Sequence, residues 1–139
     1  MSVMRTGTAV ATHGRSAVRH AIAAGRWQRP ARGVVVDHSG PLSRQELDLV
    51  RLHVCAPGSA LAGLSALRVD RFEGFETSHT DVVQPEGSNR PGPGVIGLRP
   101  HWSTELSDAD VHPTRQPRRT RPARSVVDAA AWTTSDRHA

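Results

Sequence analysis

The amino-acid sequence predicts an α+β fold. Its 139 residues amount to about one domain's worth of chain. Three observations carry the expectation. Apolar residues recur at helical spacing over 15–25, β-branched residues cluster in short extended runs, and the order is helices with a small hairpin, a helical middle, short strands and a last helix. No internal repeat interrupts that order.

The first helix is short, over 6–12, around Ala9, Val10 and Ala11. It should close at His13-Gly14, a tight turn in which glycine tolerates a positive φ. From Arg15 to Ala24 the run RSAVRHAIAA is rich in helix formers and free of proline. Val18, Ala21, Ile22 and Gly25 fall on one stripe, which leaves Arg15, Ser16, Arg19, His20 and Ala23 opposite. Gly25 stands where a left-handed residue ends a helix. Two extended pieces follow at 26–29 and 33–36, with Pro30 expected to mark the turn between them. Ser43-Arg44-Gln45-Glu46 fits a capping box and starts a helix expected to reach Cys55, ahead of Pro57-Gly58. Leu47, Val50 and Val54 form its core stripe, widened by Leu49 and Leu52. Another short helix is expected over 63–69, around Leu64 and Leu67.

Beyond Phe75 the texture changes. Residues 80–84 read as a strand, and 85–94, with three prolines and three glycines, as a mobile loop. Residues 95–98 and 110–114 are weaker strand candidates. The last helix begins near Pro122, a residue suited to a first helical position. Its expected apolar face is Val126, Val127, Ala130 and Ala131, with Trp132 near its end.

The charge is uneven. All 18 basic residues are arginine, against 13 acids, for a net charge of +5. Residues 1–70 carry nine arginines and four acids, and residues 71–139 carry nine of each. Residues 1–36 hold six arginines and no acid. A second group, Arg115, Arg118, Arg119, Arg121 and Arg124, lies in the balanced half. A basic terminus on a neutral body is the footprint of a nucleic-acid-binding segment. The plainer alternative is an arginine bias with charges spread for solubility.

The absence of lysine excludes Schiff-base chemistry, a Walker lysine and a lysine-dependent nuclease site within these residues, because arginine does not deprotonate. The lone Cys55 forms no internal disulfide and reads as a small apolar residue on a helix. No apolar run is long enough for a membrane span, no apolar stretch follows Arg5 as in a signal peptide, and a cytoplasmic protein is expected.

The chemistry concentrates in 14–36, GRSAVRHAIAAGRWQRPARGVVV, which reads as a helix followed by a two-stranded wing. A recognition helix must offer polar side chains to the major groove while its other face packs on a scaffold. Arg15, Ser16, Arg19 and His20 offer such a face, and the wing adds Arg26, Gln28, Arg29 and Arg32, with Trp27 and the valines as anchors. Spacing alone does not separate base readers from phosphate binders. An ordinary amphipathic helix with a solvated arginine face is the competing reading.

This stretch, followed by Gly40-Pro41-Leu42-Ser43, resembles the winged helix-turn-helix start of actinobacterial AbiEi-family antitoxin-type proteins. The run Leu61-Ala62-Gly63-Leu64-Ser65-Ala66-Leu67 resembles the family's middle strand–helix element. Residues 121–128, RPARSVVD, resemble its recurring R-P-A-R helix. The resemblance implies a DNA-binding segment over 1–40, with the recognition helix on 15–24 and the wing on 26–36. It implies an α/β antitoxin-like region of short strands and helices over 41–139, incomplete at its C-terminus. It further implies binding of double-stranded DNA at the protein's own promoter. A nucleotidyltransferase-like toxin would be countered without a stable complex. The alternative is an interaction or remnant module of a longer restriction-endonuclease-like protein, without activity of its own. Relative to the family the first helix is brief and the chain stops early.

No catalytic set, cofactor site or metal site is expected. The eight histidines, His13, His20, His38, His53, His79, His101, His112 and His138, show no H-x-x-x-H or H-E-x-x-H spacing. Glu105, Asp108 and Asp110 cluster in a loop with no lysine to complete a nuclease. Gly63-Leu64-Ser65-Ala66-Leu67 lacks the last glycine of a hydrolase elbow. Asp128 is expected to bond Arg121 or Arg124 and close the C-terminal segment.

Overall fold

The computed structural model describes residues 3–74, 77–92 and 95–138, and side chains through residue 133. Phe75, and residues 93 and 94 of the expected loop, lie outside the described residues. The fold is α+β and divides into two compact units, residues 1–54 with 92–95, and residues 55–91 with 96–139.

The first unit contains β1 (Val3–Arg5), α1 (Thr6–His13), α2 (Arg15–Ala23), β2 (Gln28–Ala31), β3 (Val34–Val36) and α3 (Arg44–His53). The strands form an antiparallel sheet in the order β1-β3-β2. β3 is central, and its alternating side chains serve two cores. Val34 and Val36 pack with Val3 and Val50, while Val35 packs with Ala9 and Val18. All three valines are fully buried. The strand β1 is absent from the sequence expectation, because three residues are too few to show a period.

Pro30 lies inside β2 and does not mark the turn, which falls at Arg32-Gly33 with Gly33 at φ 78°. The sheet tolerates it because β2 is an edge strand whose register slips between Gln28 and Ala31, so no ladder bond needs its missing N–H. The capping box forms as expected: Ser43 Oγ accepts from Glu46 N at 3.1 Å, and Glu46 Oε1 accepts from Ser43 N at 3.0 Å. α3 packs on the sheet through Leu49 and Val50, joined by Val54 just past its end, which carries the first unit past residue 40 to Val54. The helix stops at His53, so Cys55 lies just beyond it, buried and unbonded to another cysteine.

The second unit contains β4 (Ala60–Leu61), α4 (Gly63–Val69), β5 (Thr80–Pro85), β6 (Leu98–Ser103) and α5 (Pro122–His138). β5 pairs antiparallel with β4 and parallel with β6. A parallel partner requires the chain to return to its starting end, and residues 86–97 make that return. The strand expected at 95–98 is therefore displaced: Thr80 N donates to Gly97 O at 2.7 Å, and β6 begins at Leu98. Residues 110–114 form only the single bridge Val111–Thr120, since Pro113 has no N–H to extend a ladder.

The last helix forms but is rotated from the expectation. Val126 and Val127 are 52% and 66% exposed, and Ala130 and Ala131 are exposed too. Its packed side is Ser125, Asp128, Ala129 and Trp132. Polar anchors set the rotation. Ser125 Oγ meets Thr120 Oγ1 at 2.6 Å and donates to Arg121 O at 2.9 Å, and Trp132 lies over Gly63.

Candidate nucleic-acid interface

A single residue, Gly14 at φ 87°, separates α1 from α2. The helix α2 buries Val18 and Ala21 and leaves Arg15, Ser16, Arg19 and His20 exposed. At about 100° per residue, Arg15 and Arg19 share one row and Ser16 and His20 the next row round the helix. Gly25, at φ 75°, ends the helix in the expected left-handed conformation and turns the chain into the hairpin. Trp27 is half-buried among Ala9, Val18 and Val35, with its ring edge-on to His13 at 5.2 Å.

The hairpin places Arg26, Arg29 and Arg32 in the open: Arg26 between α2 and β2, Arg29 on β2, Arg32 in the turn. Gln28 differs. It is half-buried, and its amide nitrogen donates to His38 O at 2.9 Å and Gly40 O at 2.8 Å. Gln28 thus ties the hairpin to the loop before α3 and commits its donors inside the chain. His38 completes that tie: its Nδ1 accepts from Gly40 N, so Nε2 carries the proton toward Glu46 Oε2 at 2.6 Å.

Of the eight expected interface residues, the structure brings Arg15, Arg19 and Arg29 around one open depression of about 570 Å³. Ser16, His20, Arg26 and Arg32 lie outside it. None of Arg15, Arg19, Arg26, Arg29 and Arg32 has a side-chain partner among the described residues, and residues 3–36 supply no carboxylate.

Three arginines of the second cluster behave oppositely. Arg119 grips Asp70 Oδ1 through Nε at 3.0 Å and Nη2 at 2.9 Å. Arg121 Nε donates to Asp108 O at 2.8 Å. Arg124 bonds Asp128 Oδ2 at 3.0 Å, reaches Asp110 at 3.4 Å and donates to the Glu105 carbonyl. Burial pushes the Asp128 carboxyl above its usual range, and the Arg124 charge and hydrogen bond oppose that rise. These arginines hold the second unit together, with Asp128 in the structural role expected of it.

A further polar cluster escapes a search by histidine spacing. His79 Nε2 and His101 Nε2 reach opposite oxygens of the buried Asp81 at 3.3 and 3.0 Å, and His101 stacks on Trp132 with centroids 3.5 Å apart. The available signal is the spacing His79-Thr80-Asp81 at the start of an expected strand, where residues two apart share a face. His53 is half-buried, and burial, reinforced by Arg5, holds its imidazole below the ordinary range. Among the described residues no three His, Cys, Asp or Glu side chains converge as metal ligands. Nor is any helix there long and apolar enough to cross a membrane. No model of a known protein family matches the chain, and no curated protein matches it.

Proposed function

We propose that the chain is a cytoplasmic DNA-binding regulator built on a winged helix, an AbiEi-like antitoxin that represses the promoter of its own toxin–antitoxin operon. A nucleotidyltransferase-like toxin is the protein whose activity it counters. In this reading α2 enters the major groove, and the β2–β3 hairpin lies along the backbone as the wing. The observation that carries the reading is the set of five exposed arginines along α2 and the hairpin, none with a side-chain partner among the described residues, in a stretch, 3–36, that holds no acid. Unpaired guanidinium groups held on a rigid scaffold suit phosphate oxygens and guanine edges.

Fluorescence anisotropy of duplex DNA from the region upstream of the gene, titrated at several salt concentrations, tests the reading. Five phosphate contacts predict a slope of log K against log salt near −4.5. Arg19→Ala and Arg29→Ala should each weaken binding, and only a base-reading position should also change sequence preference. A flat salt response, or variants that bind like the parent, sinks the assignment.

One observation favours a second reading, an interaction or remnant module of a longer restriction-endonuclease-like protein. The exposed apolar row of Val126, Val127, Ala130 and Ala131 on α5 is a surface that another polypeptide could cover. A nucleotidyltransferase-like gene beside this one favours the antitoxin. An adjoining frame that encodes a lysine-bearing nuclease segment favours the module.

A further inference from the structure

The cationic face has a feature that DNA leaves unexplained. The depression rimmed by Arg15, Arg19 and Arg29 has an apolar floor, made by Val10, Val18 and Ile22. A phosphodiester backbone satisfies guanidinium groups but gains nothing from covering the half-buried Val10 and Ile22, whose further burial is favourable only against another apolar surface. The depression also extends over Gly7 of α1, where a Cβ would meet no heavy atom within 4 Å. Its volume of about 570 Å³ falls in the range of small-molecule sites, which pair an apolar lining with a few convergent polar groups.

We propose that this depression binds a small amphipathic organic anion, a carboxylate carried on an apolar chain or ring, and that the bound anion competes with DNA for the same arginines. The competition rests on the DNA-binding reading above; the ligand site does not. Charge complementarity selects the head group. Three arginines rim the depression, none has a partner among the described residues, and a guanidinium fork takes a carboxylate through two parallel hydrogen bonds. The floor selects the tail, because an apolar body over it removes the half-buried Val10 and Ile22 from water above the buried Val18. A neutral apolar molecule would leave the arginines unanswered, and a bare inorganic anion would leave the floor exposed.

The test is calorimetric titration of the whole chain with octanoate below its micelle-forming concentration, beside 1-octanol and acetate. Octanoate should saturate one site, with octanol and acetate each weaker by at least about ten-fold. Gly7→Phe fills the open space above α1 with a residue of higher helix propensity and should abolish octanoate binding while circular dichroism stays unchanged. Should that variant unfold, Arg19→Gln decides instead, by lowering octanoate binding to the level of octanol. Equal binding of octanoate and octanol, no saturable octanoate binding, or parent-like binding by Arg19→Gln overturns the proposal. A second copy seated in the depression would appear as a dimer in sedimentation together with no octanoate binding, and also overturns it. Bound duplex should be released by octanoate in the anisotropy assay; octanoate binding without release overturns the competition. A protein that binds octanoate but no duplex contradicts the DNA-binding reading and leaves the ligand site standing.

Discussion

At the scale of single residues, chemistry is decided by what each side chain already touches. Arg29 and Arg119 are the same residue type in two basic stretches, yet Arg29 is exposed with no partner among the described residues while Arg119 clasps Asp70. The sequence shows both clusters and the local Arg124–Asp128 pair but not the clasp on Arg119, because Asp70 lies 49 residues away in the chain. Gln28 shows the same limit, since its acceptors are the carbonyls of His38 and Gly40. His53 yields a pH prediction. Burial and Arg5 hold its pKa below the ordinary value of about 6.5. On acidification the unfolded chain therefore takes up that proton before the folded one. The stabilising effect is complete above about pH 6.5 and is lost as pH falls through that value toward the depressed one. Urea midpoints should drop between pH 7.5 and pH 5.5, and His53→Gln should show a smaller drop. Equal drops in parent and variant would remove His53 from the account.

At the scale of elements, legibility follows how local the signal is. The capping box of α3, the single-glycine break before α2, the left-handed Gly25 and the limits of α4 all rest on residues within one turn of each other, and all stand where the sequence puts them. β6 does not, because its position depends on a parallel partner reached through a twelve-residue return, 86–97. Nor does the rotation of α5. Its valines suggest one buried face, but Ser125, Asp128 and Trp132 find partners on Thr120, Arg124 and His101 and set another. That rotation is testable by a pair of substitutions. Val127→Ser should change stability by less than about 0.5 kcal/mol, as an exposed position does. Ser125→Ala should cost about 1 kcal/mol or more, since Thr120 Oγ1 then loses its partner in a fully buried site. Chemical denaturation of the two variants measures both. A larger loss from Val127→Ser than from Ser125→Ala restores the valine face as the packed one.

At the scale of the whole molecule, the charge divides along the same line as the fold. The first unit holds eight arginines against three acids, and the second holds ten of each. The excess is therefore a property of the unit that carries the exposed helix and hairpin, and the balance belongs to the unit in which Arg119, Arg121 and Arg124 are spent on internal carboxylates and carbonyls. This partition makes the two kinds of arginine separable by experiment. Arg29→Ala removes one partnerless charge. It should lower the steepness of the salt dependence of DNA binding by about 0.9 and leave stability within about 0.5 kcal/mol of the parent. Arg119→Ala strands Asp70 in a mostly buried site. It should cost about 2 kcal/mol of stability or more, and leave the salt slope of the remaining folded protein unaltered. Urea denaturation and anisotropy on the same two variants give four numbers, and the expected pattern is crossed. If Arg119→Ala flattens the salt slope as much as Arg29→Ala does, the second unit shares the DNA surface and the charge partition no longer marks the site.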